Sequence, residues 1–347
     1  MSLLRSTRLR VCMTLAALLL VAAEARAAKE LRWKFKEGDK LPYAMSQTAT
    51  ILIDANGIEI DVKIKQIMDV VWTVKSVASD GTAEISQKVE RVQLLMNTPF
   101  TGEVSYDSKQ PDKVPPPELW DRMGKPIEAM LDGEFTLKIS PTGKVSDVTL
   151  PEALTEALGE QRGGGGGQMM MGGGMFTEST IRQTIEQAVT PLPEEPAGEG
   201  VTWSRELENK MGPIGTQKIA VTYTYAGQEN KDGKDLEKID AKTEISFEAA
   251  EGGDADVAME ITEQEGKGSV LFDAAAGRAI SAKTEQDLVL EGDFQGNEFA
   301  QEINMVLQLA AGTSENLPAD EAPKDDAAEG DTSDGDNADK EGSEGDK

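Results

Sequence analysis

Long runs in which apolar and polar residues strictly alternate dominate this chain and constrain its fold more than any other feature. Tyr43, Met45, Gln47, Ala49, Ile51 and Ile53 share one parity, and Ile58, Ile60, Val62 and Ile64 share another after Asp54-Ala55-Asn56-Gly57. Successive side chains of a strand point to opposite faces, so each run carries one apolar and one polar face. An Asn-Gly turn between two such runs predicts a long hairpin with one face buried.

The same pattern continues along the chain. Met68, Val70, Trp72 and Val74 lead to a turn at Ser79-Asp80-Gly81-Thr82, and Ala83, Ile85, Val92 and Leu94 return, with a bulge expected near Gln87. Phe135, Leu137 and Ile139 run into Pro141-Thr142-Gly143-Lys144, and Val145 to Val148 comes back. Further strands are expected over 203–211, 218–225, 241–247, 255–261, 269–272, 279–290 and 303–309, with turns at Asp232-Gly233 and Ala276-Gly277. Helical spacing covers 117–131, 151–158 and the stretch marked by Ile181, Ile185 and Val189. The expected fold is mainly β with a few helices (α+β), built from antiparallel sheets.

Two segments divide the chain. Residues 161–176 hold Gly163 to Gly167 followed by Met169, Met170, Met171 and Met175, a Gly/Met-rich composition that reads as a flexible linker. It separates a β-rich half at 28–160 from a helix and second β-rich half at 177–312, and 313–347 is an acidic tail expected to be disordered. The pattern allows two related halves in one bilobal body, since Leu31-Arg32-Trp33 opens one and Val201-Thr202-Trp203 the other. Likewise Leu137 to Val145 passes through Gly143-Lys144, and Leu271 to Ala279 through Gly277-Arg278.

The N-terminus reads as an export signal. Arg5, Arg8 and Arg10 precede an apolar stretch from Val11 to Ala23, and Ala25 and Ala27 supply the small-x-small cleavage site. That stretch is shorter than the ~20 residues a spanning helix needs. The mature chain from Ala28 is therefore expected to be periplasmic or extracellular and not membrane-spanning. The single cysteine, Cys12, leaves with the signal, so no disulfide is expected despite export.

Composition removes several functions. The chain has no histidine, which excludes Ser-His-Asp and Cys-His nucleophile pairs and imidazole metal ligation. Its net charge of −28 argues against nucleic acid and anionic membrane surfaces as partners. No phosphate loop or dinucleotide fingerprint occurs, and Asn230-Lys231-Asp232-Gly233-Lys234-Asp235 lacks the acids that a calcium loop needs at Gln228 and Ile239. The acidic pairs Glu244/Glu248 and Glu263/Glu265 follow from alternation on a solvated face. The methionines fit a linker, an apolar lid or a soft Cu(I) site, and the lack of fixed geometry favours the linker. No catalytic residue, cofactor or metal ligand is assigned.

The opening Leu31-Arg32-Trp33-Lys34-Phe35-Lys36-Glu37-Gly38-Asp39-Lys40-Leu41-Pro42-Tyr43 and the turn Ile139-Ser140-Pro141-Thr142-Gly143-Lys144-Val145 resemble an uncharacterised family of exported β-rich bacterial proteins, a domain of unknown function of planctomycete type. The resemblance implies location and architecture and no activity. The expected function is a non-enzymatic binding or envelope-associated interaction protein. Its partner would be a lipid-like or other apolar ligand, or an envelope protein. The alternatives are a structural or assembly module without ligand and a carboxylate-based hydrolase.

Overall fold

The computed structural model describes residues 28–110, 115–160, 177–210, 215–248, 257–294 and 297–318. Ala25 and Ala27, the Gly/Met segment and the chain beyond 318 lie outside them.

Twelve antiparallel strands form one sheet. They are β1 (Lys40–Ala55), β2 (Ile58–Val77), β3 (Ala83–Thr98), β4 (Gly102–Asp107), β5 (Glu134–Ile139), β6 (Val145–Thr149), β7 (Thr202–Lys210), β8 (Thr216–Lys231), β9 (Lys234–Glu248), β10 (Val257–Asp273), β11 (Arg278–Phe294) and β12 (Asn297–Ala311). The spatial order is β6-β5-β3-β2-β1-β12-β11-β10-β9-β8-β7, with β4 beside the distal part of β3. The two expected halves are thus two arms of a single sheet, joined where β1 pairs with β12 from Tyr43↔Ala311 to Ala55↔Phe299.

Alternation explains which face is which. Tyr43, Val70, Trp72, Ile85, Leu137 and Ile239 share the inner face and are buried, while the intervening residues are mostly polar. The bulge on β3 falls at Glu90, not at Gln87, because Val70 pairs with Val89 and Asp69 with Arg91. The extra residue lets Val89 and Val92 both face inward. Gln87 stays in register and accepts a 2.8 Å hydrogen bond from Trp72 Nε1. The turn Asn56-Gly57 has φ of 54° and 80°, the left-handed pair that matches strand twist.

The strands are unusually long. β2 has 20 residues, about 65 Å at ordinary strand rise. One end of the sheet, here called proximal, holds the starts of β1 and β11 and the ends of β2, β10 and β12. The other, distal, end holds the β1–β2, β3–β4 and β11–β12 turns.

Among the described residues three α-helices attend the sheet: α1 (Pro117–Asp132), α2 (Glu152–Glu160) and α3 (Glu178–Gln187). Proline in the first turn starts α1 without losing a helical hydrogen bond. Gly124 lets Trp120 lie flat on the helix, and Trp120 meets Tyr106 of β4 with ring centroids 4.8 Å apart. Thr177 caps α3 by accepting from the Thr180 amide. That helix joins the two free edges of the sheet: Arg182 donates to the Val148 carbonyl at β6, and Arg205 of β7 donates to the Glu186 and Val189 carbonyls at 2.9 and 3.0 Å. No helix among the described residues is long and apolar enough to cross a membrane.

Candidate functional site

Three features of the inner face bear on function. The first is a closed proximal core, and its centre is the extended segment from Lys29 to Phe35. Trp33, 2% exposed, stands among Phe35, Trp72 and Phe272 with ring centroids 6.0, 6.2 and 5.5 Å away. Its indole donates to the Thr190 carbonyl at 2.9 Å, and Trp203 donates to the neighbouring Pro191 carbonyl at 3.0 Å. The two tryptophans singled out by sequence therefore converge on adjacent residues. The two matching turns converge as well. The Trp33 amide donates to Pro141 at 2.8 Å and the Lys34 amide to Gly277 at 3.0 Å, so the segment is held by one turn from each arm. Gly143 and Gly277, at φ 76° and 64°, lie so close to Thr190 and Lys34 that a side chain has no room.

A buried charge completes this core. Glu237, 2% exposed, accepts from Lys29 Nζ, from Tyr225 Oη at 2.5 Å and from Gln228 Nε2 at 3.2 Å. Its oxygens are satisfied, as a buried carboxylate requires. Sequence reasoning passed over it, although the signal exists: Glu237 shares parity with Ile239, Ala241 and Ile245, an inward position. Burial pushes the Tyr43 hydroxyl above its usual range, with Arg278 acting weakly the other way.

The second feature is the distal inner face. On β1 to β3 the contiguous core ends near Val62, Ile64 and Met96, whereas on β9 and β10 it reaches Phe247 and Ile261, and Leu288 opposite Ile303 is buried; the strands of the first arm run on. Ile51, Ile53, Ile60 and Ile303 lie beyond it on the inner parity, half-buried, and Ile58 at the β1–β2 turn is 64% exposed. Val70 and Trp72 are consumed by the proximal core, whereas Ile51, Ile53, Ile58 and Ile60 on the same parity are not.

The third is a row of polar residues across the inner face, one ladder step proximal to Ile64. Gln47 opposes Gln66, and Gln286 pairs with Met305 on one side and Gly266 on the other. Gln47 Nε2 reaches only the Met305 sulfur, at 3.6 Å.

The outer face is solvated. Glu244, Glu248 and Glu265 are exposed there and paired with Lys242, Lys218 and Lys267. Among the described residues no group of three or more His, Cys, Asp or Glu could hold a metal. The strongest outer ion pair is Arg91 with Asp107, donating from Nε at 3.0 Å and Nη2 at 2.6 Å, and this guanidinium holds the Asp107 carboxyl down at about 2. It borders a cleft of about 350 Å³ between β2, β3 and β4, lined by Lys65, Ile67, Leu95 and Ser105.

These features define a mainly β protein whose single antiparallel sheet is sealed at one end and apolar, though incompletely packed, at the other. The chain belongs to the family of unknown function DUF6263, whose model matches residues 80–277. No curated protein matches it. Among solved structures it is similar to lipovitellin, in a study of that protein's lipid–protein interactions, at 12% identity and a TM-score of 0.45 over 84% of this chain. The chain spans 27% of lipovitellin's length. It is also similar to DynF of the dynemicin pathway of Micromonospora chersina (8% identity, TM-score 0.23, 83% of this chain and 88% of that one). A Bacteroides fragilis protein with a YmcC-like fold aligns at 9% identity and TM-score 0.22, over 79% and 97% of the two chains. None of these likenesses bears on function.

Proposed function

We propose that this is an exported, non-enzymatic binding protein that carries an apolar chain along the distal inner face of its sheet. The observation behind this reading is the row of Ile51, Ile53, Ile60 and Ile303 outside the packed core, on the same face that is fully buried at the proximal end. A soluble chain gains nothing by extending apolar strand faces beyond its core unless something covers them. Carrier sites are concave and mostly apolar, with few polar anchors, and the glutamine row supplies such anchors. Export rests on the leader that ends at Ala25 and Ala27.

The test uses delipidated chain beginning at Ala28 and a fluorescent amphiphile read through its own emission. Trp72 is a poor reporter, since it is sealed in the proximal core with its indole bound to Gln87. Binding is expected to be saturable and to tighten about fourfold per added methylene, the factor that ~0.8 kcal/mol per buried CH₂ implies. Ile53→Asp and Ile303→Asp should each weaken it at least tenfold. Non-saturable binding, or an affinity indifferent to chain length, refutes the carrier and leaves an assembly module.

A further inference from the structure

Strands β9 and β10 pair only from Lys242↔Lys267 to Glu237↔Phe272, although β9 continues to Glu248 and β10 begins at Val257. Beyond the last pair they part, while each keeps its other neighbour: β9 stays paired with β8 to Glu248↔Thr216, and β10 with β11 to Val257↔Phe294. The Gln264 side chain crosses the gap in place of a peptide group: its Oε1 accepts the Ile245 amide at 2.7 Å and its Nε2 donates to the Ile245 carbonyl at 3.0 Å. A side chain and its hydrogen bond together span more than a direct backbone bond, so the strands stand farther apart here than the ~4.8 Å of a ladder. The narrow end of the gap is a cleft of about 310 Å³, lined by Lys242, Thr243 and Glu244 on β9 and by Gln264, Gly266 and Lys267 on β10. Gln264 is exposed although Gly266 and Leu288, on the same parity, are buried, so solvent reaches the gap.

Past Gln264 the two strands leave backbone edges facing each other with no strand between them. Main-chain groups alternate along a strand, so Phe247 turns its N–H and C=O to the same side as Ile245, toward β10. The edge of β10 from Val257 to Glu263 has no strand on its β9 side either. Among the described residues, no strand pairs with either edge beyond Lys242↔Lys267. Unpaired edges of this kind are templates for a further strand.

The side chains around the gap select the strand that fits it. Phe247 on β9 and Ile261 on β10 face inward and pack against the core, so one parity of an added strand would meet apolar neighbours. On the outer side stand Glu244 and Glu248 of β9 and Glu260, Glu263 and Glu265 of β10, all exposed. Glu244, Glu248 and Glu265 are paired with Lys242, Lys218 and Lys267, so the two lysines of the cleft are already neutralised. Glu260 and Glu263 have no ion pair among the described residues. Glu260 also lies directly opposite Glu291 of β11, a like-charge pair that costs stability. Lysine or arginine on the outer parity of an added strand would relieve that repulsion.

We propose that the gap between β9 and β10 is a docking site for an extended segment of a basic partner protein, which adds a strand to the open edges with apolar residues inward and Lys or Arg outward. The backbone edges carry the binding, and the carboxylates choose the partner. This goes beyond the carrier reading and does not depend on it. The test uses the chain beginning at Ala28 and a short fluorescein-labelled peptide of alternating lysine and valine, followed by anisotropy at ~0.15 M salt. Saturable binding is expected. It should be about tenfold tighter than that of a glutamate–valine peptide, which the carboxylates repel. It should also be about tenfold tighter than that of the lysine–valine peptide with proline in place of its central valine, which keeps the charge and loses backbone pairing. Glu260→Lys with Glu263→Lys should weaken binding about tenfold. Glu84→Lys with Glu90→Lys makes the same charge change at exposed sites on β3 and should alter it less than about twofold. Undiminished binding of the proline peptide, or equal weakening by the two pairs of substitutions, leaves only attraction to the net charge of −28 and overturns the docking site. Equal binding of the glutamate–valine peptide, or no saturable binding of the lysine–valine peptide, overturns it as well.

Discussion

Trp33→Ala tests whether the segment between the arms is the centre of the fold or a strap laid over it. The indole is 2% exposed and touches rings from its own segment, from β2 and from β10. Truncating a buried tryptophan costs about 3–5 kcal/mol through lost transfer and cavity formation. The Thr190 carbonyl also loses its donor within a buried site. We therefore expect a loss of about 4 kcal/mol, a large share of the ~5–15 kcal/mol that holds a typical domain together, and a fall in Tm of about 10 °C. Trp33→Phe keeps most of the packing and removes the donor, so about 2 kcal/mol should go. Trp203→Ala is the matched control: its ring is half-buried on the edge strand β7, stacked on Tyr223 at 5.9 Å, and its loss should cost less than Trp33→Phe. Urea unfolding followed by far-ultraviolet circular dichroism, with the slope compared across variants, measures all three. If Trp33→Ala costs under about 1 kcal/mol, or if Trp203→Ala costs more, the segment does not organise the core.

Further expectations concern charge and backbone. Lys29→Met leaves the Glu237 carboxylate buried with Tyr225 and Gln228 alone, and should cost about 2 kcal/mol, below the ~3–5 of a pair stripped of all support; recovery in the double variant with Glu237→Gln would confirm the coupling, and additive losses would refute it. Because Arg91 depresses Asp107 in the folded state, this carboxylate stabilises the fold above the unfolded value near ~4 and loses that effect as pH falls toward about 2. Asp107→Asn should therefore cost about 1–2 kcal/mol at pH 6 after solvent screening and only about 0.4 kcal/mol near pH 2 in thermal melts, whereas a constant offset would contradict the assignment. Gly143→Ala and Gly277→Ala combine left-handed strain of ~1–2 kcal/mol with a clash, and each should melt well below Gly57→Ala, where the same strain meets open space.

The hairpins were legible because their signals are local. Asp232-Gly233 adopts φ of 53° and 77°, as such a pair does at a hairpin turn, and the flanking strands alternate as expected. Strand β4 escaped notice because Gly102–Asp107 is six residues with only Val104 and Tyr106 facing the core. The joining of both arms into one sheet depends on β1 meeting β12, a partnership that no alternation encodes. The turn at Ser314–Asn316 carried no apolar signal: it is held by the Ser314 amide, which donates to buried Asp69 at 2.7 Å. Glu237 of the core and Gln286 of the polar row could have been flagged as polar residues of inward parity. The parting of β9 and β10 beyond Lys242↔Lys267 could not, since it is a property of pairing and not of either strand.

The pairing of β1 with β12 also sets an order of events. Local hairpins can close as soon as their two strands exist, in microseconds, but a ladder between the first and last strands must wait for nearly all of the chain and then overcome the entropy of closing a very long loop. Most neighbouring strands within each arm are joined by hairpins, so the step expected to be slow is the docking of two half-made sheets along one seam. Until that moment β1 and β12 each present an open, 13-pair edge of the kind that recruits other chains. The seam that completes the molecule is thus its period of greatest exposure to misassembly.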